Sequence, residues 1–248
     1  MTDKARTRLF ESAAAPERRR MIASVHIADV GFGSAARLLR RAPEPAAVPG
    51  LRSARIGVTT PLRTGRIPKL ILGRVGLVSF WDDEPALDSF EATHPTAQAL
   101  ADGFRMRIEP LRAFGTWPGL DADVAKSRTV DYDGPVAVLT LGRLRFSQAI
   151  RFFRTSAKAE KATLGAPGLL WATAMARPPF VATCSLWDSS ASSAAYAFDG
   201  EGAAHPTAIR ADRAKSFHHE EAFIRFRLVS VAGSLARTNP LAAGTLPG

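Results

Sequence analysis

The sequence contains one cysteine, Cys184, among 248 residues. A disulfide framework and a zinc site built from paired cysteines are therefore both excluded. No apolar run reaches the roughly 18 residues that a membrane-spanning helix needs. The segment 1–20 is charged and lacks the apolar core of a signal peptide. Together these absences predict a cytoplasmic protein, with a peripheral contact to a membrane surface left open.

Several catalytic motifs are also missing. The sequence has no GxSxG nucleophile motif, no P-loop and no HExxH metal motif. Gly31 and Gly33 lack the third glycine of a dinucleotide fingerprint, so we interpret them as a turn. The predicted central strands lack the aromatic pattern of RNA-binding domains, so we expect no nucleic-acid partner even though the net charge is +10.

The positive charge has one local concentration. No acidic residue occurs from Pro45 to Trp81, and this stretch includes a predicted basic loop at Thr59–Gly73. Positive potential of this kind suits phosphates, carboxylates, a lipid surface or nucleic acid. A solvated, arginine-rich loop is the alternative interpretation.

A duplicated pattern organises the chain. Each half contains an apolar strand that ends in Trp-Asp or Trp-Asp-Asp, then a small-residue helix, then His-Pro-Thr-Ala before a further helix. The pattern includes Trp81 and His94 in the first half, and Trp187 and His205 in the second. Two identical tetrapeptides in matching contexts indicate an internal repeat.

The repeat predicts an α+β fold. Each half has the order β-α-β-β-α-β, which is the ferredoxin-like unit. The strands are predicted at Ile22–Val30, Leu51–Val58, Val75–Trp81, Met106–Phe114, Val136–Leu144, Leu169–Ala176, Val181–Trp187 and Ala222–Val231. Helices are predicted near Ser34–Arg41 and Ser147–Lys158, and a last helix is expected to end at His218–Glu221. We expect the tandem units to form a dimeric-α/β-barrel-like sandwich with the helices outside.

The predicted organisation has five segments. They are an N-terminal tail at 1–20, a first ferredoxin-like repeat at 21–120, a polar linker at 121–134, a second repeat at 135–232 and a C-terminal tail at 233–248. A tandem repeat either closes a barrel within one chain or leaves strand edges for a second copy. The sequence is therefore compatible with both a monomer and a homodimer.

The histidines, the cysteine and the tryptophans each have a structural interpretation. His94 and His205 precede Pro at predicted helix starts, where a capping role competes with a functional one. His218 and His219 are expected near a helix C-terminus, which the helix dipole favours. Cys184 lies in an apolar run and is interpreted as a core residue. Trp171 and Met175 lie four residues apart on a strand and therefore share one face, which we interpret as the barrel interior. They line either a core or a ligand site.

A set of residues in the second half matches a known family pattern. It begins with the strand opening at Gly134–Ala137, the pair Phe152–Phe153 and the tripeptide Ser185–Trp187. It continues through a GxGxxHxxAIRAxR stretch and ends with Glu-Glu before an AFIRFR strand. The residues of the central stretch are Gly200, Gly202, His205, Ala208, Ile209, Arg210, Ala211 and Arg213. In these residues the chain resembles the spheroidene monooxygenase family.

The resemblance implies a haem-dependent monooxygenase that oxidises an apolar polyene of the carotenoid type, with molecular oxygen and an external electron donor. It also implies a dimeric α+β barrel fold, as in chlorite dismutase and aldoxime dehydratase. Haem needs an apolar slot, an axial ligand and cations for its propionates. On this resemblance His205 is the expected iron ligand, Arg210 and Arg213 are expected near the propionates, and His218 is the alternative ligand. The substrate is expected inside the barrel.

Two other functions stay open. One is a cofactor-free or haem-degrading monooxygenase of the same barrel fold. The other is a non-catalytic protein that binds haem or an apolar ligand. Haem absorbance separates the first from a haem-dependent enzyme, and oxygen-dependent turnover separates an enzyme from a carrier.

Overall fold

The structure, a computed structural model, describes residues 20–62, 71–127, 129–148, 151–152, 160–198 and 217–235. The first half contains β1 (Ile22–Asp29), α1 (Gly31–Arg40), β2 (Leu51–Pro61), β3 (Arg74–Trp81), α2 (Glu84–Thr93), α3 (Pro95–Ala99) and β4 (Phe104–Gly115). The second half contains β5 (Val136–Leu144), a 3-10 turn at Phe146–Gln148, β6 (Leu169–Arg177), β7 (Phe180–Trp187), α4 (Ser190–Phe198) and β8 (His218–Ala232).

The eight strands form a closed antiparallel barrel. The strand order is β1-β3-β2-β6-β7-β5-β8-β4, so each half contributes the same four-strand order. The halves join through β2 with β6 and through β4 with β8. The predicted fold class is therefore confirmed, and a single chain closes the barrel. The predicted segment boundaries, which this topology does not test, stay predictions.

Side chains along each strand point alternately into the barrel interior and to an outer layer that contacts the helices. On β1, Ala23, Val25 and Ile27 point into the barrel, whereas Ile22 and Ala28 point to the outer layer with the helices. This is the period of two that a strand imposes on its side chains. Cys184 is fully buried on the inner side of β7, as expected, and burial raises the pKa of its thiol. The thiol is therefore an inert core group.

The two halves also share their capping. The Asp83 carboxylate accepts from the backbone N–H of Ala86 at 3.0 Å and starts α2. The Ser189 hydroxyl accepts from the backbone N–H of Ser192 at 3.0 Å and starts α4. Short polar side chains at this position satisfy one of the free N–H groups at a helix start. The Trp-Asp and Trp-Asp-Asp signals of the sequence thus mark a strand end followed by a helix start.

Three local predictions were wrong. The first helix begins at Gly31, whose φ of +74° favours glycine, so the predicted turn is the first turn of α1. Strand β2 continues to Pro61, because residues 58–61 pair with β6 of the other half. His218 and His219 open β8 rather than end a helix, because His218 pairs with Leu144 at the end of β5. The errors at Pro61 and His218 lie where a strand pairs with another that is distant in sequence, a contact that local patterns do not reveal.

None of the helices within the described ranges is long and apolar enough to cross a membrane. Of the helix predicted at Ser147–Lys158, the structure describes the 3-10 turn and residues 151–152, and the rest lies outside the described residues.

Candidate functional site

The barrel interior is a packed core. Its side chains are at most 8% exposed and include Phe80, Phe104, Met106, Met175 and Phe226. The Met175 thioether fills the space over Gly76, where an added Cβ would lie 2.3 Å from its sulfur. Trp171 packs on the Phe104 ring at 5.6 Å. Trp171 and Met175 thus face the interior, as predicted, and belong to the core. The described interior side chains occupy the place where the substrate was expected.

The outer face of the first half is filled by large side chains. His26, Leu77 and Ile56 lie side by side across β1, β3 and β2 and are at most 2% exposed. Leu87 of α2 covers them and is fully buried. The side chains of the sheet and of α2 thus fill the layer between them.

A polar cluster is built into that layer. Glu91 of α2 contacts His26 Nε2 at 3.1 Å and Arg107 at 2.5 Å. Burial alone raises the pKa of Glu91, but the hydrogen bonds from His26 and Arg107 lower it to about 2. Because Glu91 is ionised, His26 Nε2 must donate to it, and His26 Nδ1 is buried without a partner among the described residues. The cluster is a structural ion-pair network.

The corresponding face of the second half carries smaller side chains. Strand register places Thr140, Thr183 and Ala174 side by side on β5, β7 and β6, where the first half has the larger trio described above. All three are partly exposed, whereas their counterparts are buried. The outer face of this sheet therefore carries smaller and more exposed side chains than that of the first half.

The helix above this sheet, α4, also has a smaller side chain facing the sheet. Counted from Trp81 and Trp187, Ser193 of α4 occupies the position of Leu87. Ser193 is 3% exposed, and its hydroxyl is buried without a hydrogen-bond partner among the described residues. A buried, unpaired hydroxyl is costly, and it marks a place where a bound group or water completes the site. We call the surface formed by Thr140, Ala174, Thr183, Ser193 and Arg225 the second-half face.

Arg225 adds a positive charge to the second-half face. It lies on β8 beside Val138, is 7% exposed and donates to the Ser190 hydroxyl at 3.2 Å. Burial lowers the pKa of Arg225, and the neighbouring Arg112 lowers it further. Sequence analysis missed this residue as a site candidate, although it stands in the AFIRFR strand.

His218 lies at one end of the same sheet. Its Nδ1 is 3.1 Å from the Glu221 carboxylate, and its ring meets Phe152 edge-on at 5.2 Å. The ring edge with Cδ2 and Nε2 rests on Gly142, where a Cβ would lie 2.6 Å from Cδ2. Glycine at 142 is therefore what lets this imidazole sit against the strand.

Of the other predicted site residues, the structure describes only His94. His205, Arg210 and Arg213 lie outside the described residues. His94 caps α3, since its Nδ1 accepts from the backbone N–H of Thr96 at 3.1 Å. Burial lowers the pKa of His94, which keeps the imidazole neutral as an acceptor. The structural interpretation of His94 accordingly accounts for its place.

The basic stretch is partly neutralised. Arg52 pairs with Asp82 and Asp121, and Arg74 pairs with Asp29 at 2.7 Å. Of the predicted loop at Thr59–Gly73, residues 63–70 lie outside the described residues. The potential of the described part is thus lower than the sequence alone suggested.

A separate open cleft of about 820 Å³ lies between the first half and β8, and Arg20, Asp83, Glu109 and Arg227 line it together with apolar side chains such as Ile22 and Val229. Its lining therefore mixes charged and apolar groups. Within the part of the chain that the structure describes, no group of three or more His, Cys, Asp or Glu side chains is arranged to hold a metal ion.

The second-half face has two features that a flat group such as haem can use. Its floor consists of small side chains, and the buried cation Arg225 faces the layer between sheet and helix. Haem requires cations for its carboxylates and an apolar slot. Arg225 fits the first requirement, whereas Thr140, Thr183 and Ser193 make the described part of the face partly polar.

Comparisons with known proteins agree with the sequence resemblance. No protein-family model matches the chain. The chain is 36% identical over 166 residues to spheroidene monooxygenase from Rubrivivax gelatinosus, covering 64% of this chain and 62% of that protein. It is 27% identical over 177 residues to spheroidene monooxygenase from Rhodobacter capsulatus, covering 68% and 73%. A third spheroidene monooxygenase, from Cereibacter sphaeroides, is 26% identical, and the chain covers 52% of its length.

Solved structures support the fold. An aldoxime dehydratase crystallised with butyraldoxime superposes with a TM-score of 0.53 at 8% identity, covering 86% of this chain and 81% of that one. Identity this low speaks for the fold and not for the chemistry. The chain spans less than two thirds of two of the three curated relatives that it matches. The resemblance inferred from the second half of the sequence is confirmed: over the part that it covers, the chain is similar to the spheroidene monooxygenases, and it folds as an α+β barrel.

Proposed function

We propose that this protein is a haem-dependent monooxygenase that acts on a hydrophobic small molecule of the carotenoid type. The observation that carries the proposal is the 36% identity to a spheroidene monooxygenase. The second-half face supports it, because its side chains are smaller than those at the same positions of the first half. When bound, haem supplies redox chemistry with molecular oxygen that amino-acid side chains lack.

The residues of the chain divide the remaining work. His205 is the proposed axial ligand, with His218 as the alternative, and Arg210 and Arg213 are proposed near the propionates. The small side chains of Thr140, Ala174 and Thr183 leave room for the bound group and its substrate on the second-half face. The proposal requires two partners, the hydrophobic substrate and an external electron donor.

His218 has the hydrogen bond that a ligand histidine uses. The Glu221 carboxylate lies 3.1 Å from Nδ1, and a carboxylate that accepts from one ring nitrogen is the usual partner of a ligand histidine. The ring edge carrying Nε2 rests on Gly142. The family resemblance makes His205 the first ligand to test.

The direct test is oxygen-dependent turnover. The full chain, purified with added haem, is supplied with an acyclic carotenoid in detergent, a chemical or enzymatic reductant, and oxygen. We expect oxygenated product only when haem, reductant and oxygen are all present. Turnover without haem would replace the proposal with a cofactor-free enzyme. Loss of the haem absorbance during reaction would indicate a haem-degrading enzyme, and haem binding without product would indicate a carrier.

A further inference from the structure

Arg107 and Arg225 occupy equivalent positions in the two halves. Arg107 on β4 lies beside Ser24 of β1, and Arg225 on β8 lies beside Val138 of β5. Each arginine points to the outer layer, towards the helix that follows the tryptophan strand. In the first half that helix supplies two carboxylates to Arg107, Asp88 at 2.6 Å and Glu91 at 2.5 Å.

The second half lacks both carboxylates. Counted from Trp81 and Trp187, Asp88 corresponds to Ala194 and Glu91 corresponds to Ala197. No carboxylate of the described residues lies within 4.0 Å of the Arg225 guanidinium, whose hydrogen bond goes to a neutral hydroxyl. Among the described residues, the second half has thus kept the cation without the counter-charge that α2 supplies in the first half.

A buried guanidinium without a counter-charge among the described residues destabilises the folded protein. Arg225 is 7% exposed, and Arg112 is a second positive charge beside it. Removing one partner from a buried ion pair leaves an uncompensated charge that strongly destabilises the folded protein. Arginine does not shed its proton to escape that cost. Within the described ranges no carboxylate supplies that compensation, and the carboxylate of a bound ligand would do so.

The surroundings define the anion. A guanidinium presents a planar fork of donors that matches a carboxylate with two parallel hydrogen bonds. The neighbouring side chains of Val138, Thr140 and Ala174 are small and present methyl groups, which favour contact with an apolar body that carries the carboxylate. Ser193 offers one further unpaired hydroxyl on the same face.

We propose that Arg225 binds the carboxylate of an apolar ligand that lies on the second-half face. The inference rests in part on the proposed function, because a haem propionate is one source of such a carboxylate. A carboxylate on a fatty-acid-like molecule is the other source. The chemistry recognised by Arg225 is the same in both cases.

Paired ligands with and without a free carboxylate test the inference. Protoporphyrin IX and its dimethyl ester are titrated by quenching of tryptophan fluorescence, and dodecanoate and dodecanol are compared by thermal shift. In Arg225→Gln we expect at least about a tenfold loss of affinity for the free carboxylates, the usual size of a lost charge-assisted bond. Affinity for the ester and the alcohol should change less than about twofold.

Arg227→Gln is the matched control. Arg227 stands on the same strand, is exposed and pairs with Glu109 at 2.7 Å, so its loss should leave all four affinities unchanged. If Arg225→Gln binds the carboxylates as the natural protein does, or if the natural protein binds neither carboxylate, the inference is wrong.

A second variant does not depend on Arg225→Gln folding. Ala197→Glu restores the carboxylate that Glu91 provides in the first half. It should raise the melting temperature and weaken binding of both free carboxylates, because the internal anion competes with the ligand. An unchanged melting temperature together with unchanged affinity would overturn the inference. Carboxylate-dependent binding of dodecanoate without porphyrin binding would keep the Arg225 site and refute the haem proposal. Porphyrin binding that is equally tight in the natural protein and in both variants would keep the haem proposal and refute the Arg225 site.

Discussion

Arg107 and Arg225 stand at the same place in the two halves of the barrel, yet among the described residues only Arg107 reaches carboxylates. The first half closes its outer layer with large side chains and an internal ion-pair network. The second half keeps the frame, its tryptophan and its helix cap, but reduces the side chains between sheet and helix. The asymmetry places the candidate site on the second half.

Glu91→Gln should destabilise the first half. The variant removes the anion that pairs with His26 and Arg107, and we expect the free energy of unfolding at pH 7 to fall by roughly 2 kcal/mol. Urea unfolding of both proteins at pH 7 measures the difference.

The same pair of proteins should differ less in acid. The pKa of Glu91 is lowered from 4.5 to about 2 in the folded protein. Its contribution is therefore complete above pH 4.5 and is lost as the pH falls from there towards 2. The stability difference between the natural protein and Glu91→Gln should shrink when the unfolding is repeated at pH 3.5. A difference that stays constant would show that ionised Glu91 does not stabilise the fold.

Gly142→Ala should disturb the seat of His218. The added Cβ would lie 2.6 Å from the imidazole Cδ2, and Phe152 and the Glu221 hydrogen bond confine the ring. We expect a loss of about 1–3 kcal/mol in stability, as for other overpacked sites.

Gly33→Ala provides the control for that substitution. A Cβ at Gly33 of α1 meets nothing within 4 Å, so the exchange should be neutral or should stabilise by up to about 1 kcal/mol. Equal melting temperatures for the two variants would contradict the packing described at Gly142.

The helix caps give a prediction that spans both halves. Asp83→Ala and Ser189→Ala each remove an acceptor for a backbone N–H at a helix start. Each should cost about 1 kcal/mol, measured by urea unfolding. Asp123→Ala, at an exposed position between β4 and β5, should change stability by less than about 0.5 kcal/mol. Caps that cost no more than this control would refute the shared capping.

Much of the fold was readable from the sequence. Apolar alternation located all eight strands, and the repeated Trp-Asp and His-Pro-Thr-Ala signals showed that the two halves share one plan. The exact strand ends were not readable at Pro61 and His218, because those residues pair with strands far away in the chain. Long-range pairing overrides local propensity at such positions.

The candidate site was less accessible to sequence reasoning. Its defining feature is a difference between equivalent positions, such as Leu77 against Thr183, which needs the strand register to be seen. Arg225 was quoted only as part of a family pattern. Alignment of the two repeats would have found it, because Asp88 and Glu91 face Ala194 and Ala197 in that alignment.

The most direct test of the account is a haem titration followed by absorbance near 400 nm, roughly where bound haem absorbs most strongly. The natural protein should bind haem with a stoichiometry of one. Thr183→Leu, which restores the side chain of the first half, should lose the band while keeping its folded circular-dichroism spectrum, and Thr183→Ser should retain it. His205→Ala should lose the band, and a loss only in His218→Ala would move the ligand to His218. A natural protein without a stoichiometric band, or a Thr183→Leu variant that binds haem normally, would contradict the account.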